Sequence, residues 1–253
     1  MRGIIDDFIA AAREIMEEQL MGIYLHGSLA MGCFNPDKSD IDLIIVIGES
    51  ITDEQKMKFM QRVAAINRQA PAKGLEMSIV LRKYCSPFVY PTPFELHFSP
   101  VHLQWFCDKP QDYVQKMKGE DKDLAAHFMI IRRYGIVLYG EKIENVFAEV
   151  PHENYADSIW EDVRDAKEEI LQQPIYMILN LCRVLAFLKD GLYLSKKEGA
   201  KWAIERLPAE YTAVISSALI FYQTDRDMTV DEESSKAFAD QMLAKINNNK
   251  EGK

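Results

Sequence analysis

Apolar residues nowhere run long enough in this sequence to span a bilayer, which takes about 20 in succession. The opening Met1-Arg2-Gly3-Ile4-Ile5-Asp6-Asp7 sets acids where a secretory leader needs an apolar core. The two absences together predict a soluble, cytoplasmic protein that does not engage a membrane. Cysteine is scarce and scattered, at Cys33, Cys85, Cys107 and Cys182. No Cys-x-x-Cys or Cys/His pairing is present, so a zinc module is not expected and the thiols should be reduced and mostly buried. Basic clusters are short, confined to Arg132-Arg133 and Lys196-Lys197, in a chain of net charge −9. Neutralising phosphates supplies much of a nucleic-acid binder's affinity, so this balance argues against a nucleic-acid partner and for a cationic small molecule in an acidic cleft.

What is present is an ordinary globular composition, 48% hydrophobic and 27% charged, in 253 residues, enough for two modest domains or one large one. The most informative stretch is residues 27–42, Gly-Ser-Leu-Ala-Met-Gly-Cys-Phe-Asn-Pro-Asp-Lys-Ser-Asp-Ile-Asp. The apolar strand Ile23-Tyr24-Leu25 leads into the small turn Gly27-Ser28; then come Ser39, the alternating acids Asp40 and Asp42, and the apolar run Leu43–Ile47. Successive strand side chains point to opposite faces, so Asp40 and Asp42 share one. Two like charges on one face repel unless a cation sits between them. Beside a turn able to approach phosphates, that pairing suits a metal–nucleotide site.

Ile4, Ile5, Phe8, Ile9, Ala12, Ile15 and Met16 recur at helical spacing over 4–20, and Gly22 is expected to end that helix. A short strand over 23–26, a helix start over 28–33, a loop at Asn35-Pro36-Asp37-Lys38 and a β-branched strand over 41–47 follow. A helix is predicted over 52–68, opened by Thr52 or Asp53, then a third strand over 75–82, with Glu76 near its start in register with Ser78 and Val80. Pro87, Pro91 and Pro93 read as extended loop, and Glu95–Phe98 as an edge strand. The second half reads as helices over 122–134, 155–171, 175–189, 196–206, 211–222 and 230–246, with a frayed tail over 247–253. Ile175, Ile178, Leu179, Leu181, Cys182, Leu185 and Leu188 give one helix the broad apolar surface of a bundle centre. A boundary near 145–155, where Pro151 sits, divides the chain into 1–150 and 151–253.

The Gly-Ser…Asp-x-Asp string resembles the core signature of the nucleotidyltransferase superfamily related to DNA polymerase β. Three further segments are similar to its aminoglycoside adenylyltransferase family, the type that modifies streptomycin and spectinomycin. Leu75–Leu81 looks like the strand of the third carboxylate. Asp123-Leu124-Ala125-Ala126-His127, with Gly135–Gly140, looks like the connector. Asn180-Leu181-Cys182-Arg183 and Ser195–Ala203 look like the C-terminal helical domain. The resemblance implies an α+β fold: an N-terminal polymerase β-like nucleotidyltransferase domain with a mixed sheet, followed by a C-terminal α-helical bundle. It implies ATP as cosubstrate and Mg²⁺ as cofactor. Carried over by position, Asp40 and Asp42 match the metal-binding acids and Glu76 the catalytic base. Gly27, Ser28 and Ser39 match nucleotide-cradling positions, and Arg183 and Lys196 match cations that reach the triphosphate.

On the residues alone, Arg183 equally suits a structural salt bridge on its apolar helix. Lys196, after Ser195 at a helix start, opposes the helix dipole and so favours a phosphate role. Asp165, Glu168 and Glu169 suit either drug ammonium groups or a solvated face, and His127 could approach the nucleotide region but reads better as a satisfied core histidine. Many streptomycin-modifying members follow Glu-x-x-Phe with a tryptophan three residues on. Here Glu95-Leu96-His97-Phe98 is followed by Ser99-Pro100-Val101, and the nearest tryptophan is Trp105. The expected activity is therefore transfer of AMP to a hydroxyl of an aminoglycoside-type antibiotic, spectinomycin before streptomycin, by a monomer. The rivals are a protein or RNA acceptor and a nucleotide sensor without turnover.

Overall fold

A computed structural model describes residues 1–224, 228–229 and 231–251. Its first elements are α1 (Arg2–Met16), β1 (Leu20–Leu25), α2 (Gly27–Ala30), β2 (Ile41–Ile47), α3 (Asp53–Asn67), β3 (Leu75–Leu81), α4 (Arg82–Cys85), β4 (Thr92–Phe94) and β5 (Leu96–Phe98). They continue with α5 (Leu103–Asp108), α6 (Pro110–Lys116), β6 (Gly119–Asp121), α7 (Leu124–Tyr134), β7 (Ile136–Gly140) and α8 (Ile143–Val146). Then come α9 (His152–Glu161), α10 (Ala166–Glu169), α11 (Pro174–Asp190), α12 (Lys196–Arg206), α13 (Ala209–Tyr222) and α14 (Glu232–Glu251). The chain divides into two compact units between Asn154 and Tyr155.

The first unit is built on a five-stranded sheet in the order β5-β3-β2-β1-β7. β2 runs parallel to β3 and antiparallel to β1, and both edge strands pair antiparallel, so the sheet is mixed. The parallel pair needs a crossover, and α3 supplies it. Thr52 opens that helix with a capping box, its side chain accepting from the Gln55 backbone N–H and Gln55 answering at the Thr52 N–H.

Alternation sorts the strands. Leu43, Ile45 and Ile47 of β2 and Met77, Ile79 and Leu81 of β3 join Phe8, Ala11 and Ala12 of α1 and Phe59, Met60 and Val63 of α3 in one buried core. Phe8 and Phe59 meet edge to face with centroids 5.6 Å apart. Ile44, Val46, Val80 and Tyr24, on the other face, are also buried. Tyr24 packs edge-on against Phe147 at 4.9 Å, and Phe147 against Phe128 of α7 at 4.8 Å. Apolar cover on both faces explains why β2 is an almost unbroken aliphatic run. Its acids come only at the start, where that cover ends.

In the second unit α11 is the central helix, packed against α12, α13 and α14. Met177, Ile178, Leu179, Leu181, Cys182, Val184, Leu185, Ala186, Phe187 and Leu188 are all buried. Such all-round burial is what a bundle centre requires.

Several boundaries differ from the sequence reading. Gly22 does not end the first helix: it lies within β1, and a Cβ there would sit 2.2 Å from the Tyr24 hydroxyl oxygen, so its absence makes room for that ring. The extended stretch around Pro93 contains β4, which pairs with β6 through Thr92↔Asp121, Pro93↔Glu120 and Phe94↔Gly119. β7, an edge strand with Ile136 and Val137 exposed, carries little alternating signal. The helix expected over 155–171 is two, α9 and α10, joined by a turn in which Arg164 pairs with Glu161 and Asp165. The tail expected to fray continues α14 to Glu251. Val230, Gly252 and Lys253 of the sequence-based ranges lie outside the described residues.

Gly140 ends β7 with φ +88°, and a Cβ there would lie 2.0 Å from the Met21 carbonyl oxygen. A left-handed backbone and a collision with main chain then coincide. Gly140→Ala should destabilise the protein by about 2 kcal/mol or more, read as a lower urea midpoint. An unchanged midpoint would show that the β1–β7 pairing tolerates displacement.

Candidate active site

The site begins with register. The parallel pairing of β2 and β3 sets Asp42 directly beside Glu76, and Asp40 precedes β2 on the same face. One carboxylate oxygen from each of Asp40, Asp42 and Glu76 lies within 4.8 Å of the others, and all three residues are half-buried. Water cannot fully screen such a trio, so holding it together as three anions is costly.

The Gly-Ser turn is fixed against the same spot. The His26 backbone N–H donates to the Asp42 carbonyl at 3.0 Å, continuing the β1–β2 pairing. The chain then turns at Gly27 with φ +61°, where a Cβ would lie 1.8 Å from Asp42 Oδ2. Only glycine allows this approach. Ser28 follows with a buried hydroxyl oxygen that has no partner within the protein, an atom left for a ligand or water. Ser39 lies beside Asp40, but its hydroxyl accepts the Asn35 N–H at 3.1 Å and serves the 35–39 loop.

Burial raises the Glu76 carboxyl to about 7; His127 opposes the rise, while Asp40, Asp123 and Asp121 add to it. His127 has its Nε2 3.0 Å from Asp123 Oδ2, while its buried Nδ1 has no partner. Burial alone would lower its pKa, but the charge and hydrogen bond of Asp123, helped by Glu76 and Asp42, carry it up to about 10. His127 therefore sits protonated beside the acids with one ring nitrogen unpartnered, where the sequence suggested a satisfied core histidine. Its ring lies 4.6 Å from that of His26, which is fully buried and held well below the ordinary range by burial and by His127. His97 accepts from or donates to the Ser78 hydroxyl through Nδ1 at 2.9 Å, and burial brings it down to about 4. Among these, His26 left a trace in the sequence by preceding the Gly-Ser turn. The Asp121, Asp123 and His127 grouping depends on the return of β6 and α7 to the sheet.

The donor set can be tested against a metal. Three carboxylates on one patch, with a spare hydroxyl nearby and no sulfur or imidazole in the set, suit a hard cation such as Mg²⁺ that prefers oxygen. The residues fit the ion that the resemblance implies.

Arg183 and Lys196 lie in the second unit. Arg183 Nε donates to the Leu194 carbonyl at 2.9 Å and Nη1 to Asn180 Oδ1 at 3.0 Å. No carboxylate among the described residues pairs with it, so the salt bridge left open by the sequence is not its partner. Lys196 follows the Ser195 capping box, with its ammonium 4.7 Å from the Tyr176 ring centroid. Asp165, Glu168 and Glu169 lie at α10, Asp165 paired with Arg164. Glu95 pairs with the buried Lys56 at 3.5 Å. Trp105 donates to Asp112 at 2.9 Å and packs on Tyr113, while Val101 is 82% exposed.

A mixed sheet that presses a Gly-Ser turn against three carboxylates is the architecture of a nucleotidyltransferase. The profile of the nucleotidyltransferase domain matches residues 9–97, and that of the aminoglycoside adenylyltransferase C-terminal domain matches 145–245. The chain belongs to the aminoglycoside adenylyltransferase family. It is 24% identical over 219 residues to a spectinomycin 9-adenylyltransferase of Staphylococcus aureus, covering 85% of this chain and 82% of that one. It is also 24% identical over 229 residues to an aminoglycoside (3'') (9) adenylyltransferase of Klebsiella pneumoniae, covering 88% and 86%. Its fold matches a spectinomycin adenyltransferase of Enterococcus faecalis, solved with ATP and spectinomycin, at a TM-score of 0.82 and 19% identity over 98% of this chain and 99% of that one.

Without metal, the raised Glu76 pKa has a definite sign in stability. Below about 4.5 the folded and unfolded chains both hold the proton and no penalty arises; as pH climbs to about 7 the folded state resists ionisation and stability falls. Glu76→Gln removes this term. In chelator, the variant should gain stability relative to the parent across that window and be flat above it. Parallel pH curves from denaturant titrations would show that Glu76 ionises as freely folded as unfolded.

Proposed function

We propose that this protein transfers AMP from ATP, with Mg²⁺, to a hydroxyl of an aminoglycoside-type antibiotic and so inactivates it. The observation that carries the reading is the carboxylate trio set beside Gly27 and the unpartnered Ser28 hydroxyl. The names of the relatives, which act on spectinomycin or on aminoglycosides, support the acceptor class. An intact set of three acids favours turnover over a silent nucleotide sensor, and the sparse basic clusters disfavour an RNA acceptor.

Asp40 and Asp42 would hold Mg²⁺, which when bound neutralises charge on the phosphates. Gly27 lets the backbone approach the nucleotide, and Ser28 offers it a hydrogen bond. Ser39 supports the loop that presents Asp40. Glu76 takes the proton from the acceptor hydroxyl as its oxygen bonds to the α-phosphorus. The α–β phosphoanhydride bond breaks and pyrophosphate leaves. Arg183 and Lys196 meet the phosphate chain, and Asp165, Glu168 and Glu169 offer charge to drug ammonium groups.

Purified protein incubated with ATP, Mg²⁺ and a panel of aminoglycoside-type drugs should yield an adenylylated product by mass. Asp42→Asn should abolish it with the fold intact. Glu76→Gln should still bind MgATP while losing about 10²–10⁴-fold in turnover. Full turnover in either variant would rule out the assigned roles.

We further propose spectinomycin as the better substrate. Val101 offers no ring at the position where streptomycin-modifying relatives carry tryptophan, and Trp105 is engaged with Asp112 and Tyr113. An aromatic platform adds roughly 0.5–1.5 kcal/mol beyond its buried area, a contribution that a compact diamine needs less. Paired kcat/KM values should favour spectinomycin, and a clear preference for streptomycin would overturn the assignment.

A further inference from the structure

Asn180 is the polar exception among the buried residues of α11, 2% exposed among aliphatic neighbours. A buried amide is costly unless both its ends are satisfied. Here they are satisfied in one sense only. Its Nδ2 donates to Asp162 Oδ2 at 3.3 Å, and its Oδ1 accepts from Arg183 Nη1 at 3.0 Å. The opposite amide orientation would set an NH₂ against a guanidinium and an oxygen against a carboxylate, so Asp162 locks the acceptor toward Arg183. Asp162 reaches α11 because the chain breaks between α9 and α10, in the turn that follows Glu161.

Arg183 is thus held by two neutral acceptors, the Leu194 carbonyl and the Asn180 amide, with its stem confined by α12: a Cβ on Gly199 would lie 2.8 Å from Arg183 Cγ. Neutral acceptors fix the plane of a guanidinium without cancelling its charge. A carboxylate in the same place would fix and neutralise it together. No bond to Nη2 is found among the described residues, and Arg183 has no further partner there. The same carboxylate, Asp162, also accepts from the Tyr176 hydroxyl at 2.7 Å, and the Tyr176 ring carries the Lys196 ammonium.

We infer that Asn180, oriented by Asp162, is a positioning residue that aims an un-neutralised Arg183 at the phosphate chain of the nucleotide. This rests on the reading above that Arg183 meets that chain.

The test is MgATP affinity by calorimetry on the full protein, in a cycle of Asn180→Asp, Arg183→Ala and the double variant, with Asn180→Leu as a second probe of the same contact. Asn180→Asp supplies a carboxylate that neutralises Arg183 and should weaken ATP about tenfold or more. Asn180→Leu, which leaves the guanidinium charged but unaimed, should cost less. Neither should matter by more than about twofold once Arg183 is alanine, because a residue acting through another has nothing left to act on. An Asn180→Asp protein with parental affinity would overturn the inference, as would losses of equal size with and without Arg183. If Asn180→Asp fails to fold, Asn180→Leu decides alone: parental affinity, or a loss that persists beside Arg183→Ala, overturns it. If Arg183→Ala itself leaves ATP binding unchanged, the phosphate role of Arg183 falls and this inference with it. Adenylylation assigned to the carboxylate site would be judged separately by product mass.

Discussion

The register of two parallel strands governs this molecule. β2 and β3 are aligned so that Asp42 meets Glu76, and every aliphatic residue further along each strand is buried by that same alignment. A shift by one residue would carry the acids to the α1–α3 face and the aliphatics of that face toward α7. The core therefore enforces the site: hydrophobic burial along Leu43–Ile47 and Met77–Leu81 supplies the free energy that keeps three carboxylates together. The repulsion that results is what a bound cation would relieve.

Around the trio the protein arranges compensation in layers. His127, made cationic by Asp123, faces the acids from α7, while burial and the His127 charge hold the pKa of His26 well below the ordinary imidazole range. A positive and a neutral imidazole in ring contact tolerate each other far better than two imidazoliums would. Gly27 brings main chain against Asp42, leaving the Ser28 hydroxyl without a protein partner. In the second unit the opposite device appears: Arg183 is fixed by neutral groups, so that its charge is kept. One unit thus concentrates negative charge, and the other keeps a guanidinium charge among neutral acceptors.

Much of the first unit was legible because its signals are local. The β-branched run Ile41–Ile47 is the observed β2 to the residue, and Thr52 caps α3. The Gly-Ser…Asp-x-Asp string located the turn and two of the acids. The errors fall where local signals compete. Gly22 looked like a helix stop because glycine commonly ends helices, but the need there is space for the Tyr24 ring. The 155–171 segment has unbroken helical spacing, and only its ion pairs and its reach toward α11 show why it breaks. β4, β6 and β7 are short or edge strands whose partners are distant in the chain, so no periodicity announces them.

What the sequence by itself determined was the type of chemistry: alternation alone placed Asp40 and Asp42 on one face, and a glycine before a serine marked the backbone that lies against them. What only the tertiary structure decided was company and charge state. Whether Glu76 joined the pair depended on the β2–β3 register. Whether His127 was neutral or cationic depended on Asp123 being held against it, and whether Arg183 was neutralised depended on which group of α11 lay within reach. The reason is physical: backbone geometry is periodic and can be read along the chain, whereas electrostatic interaction depends on distance through space and on burial, which are set only when remote segments pack.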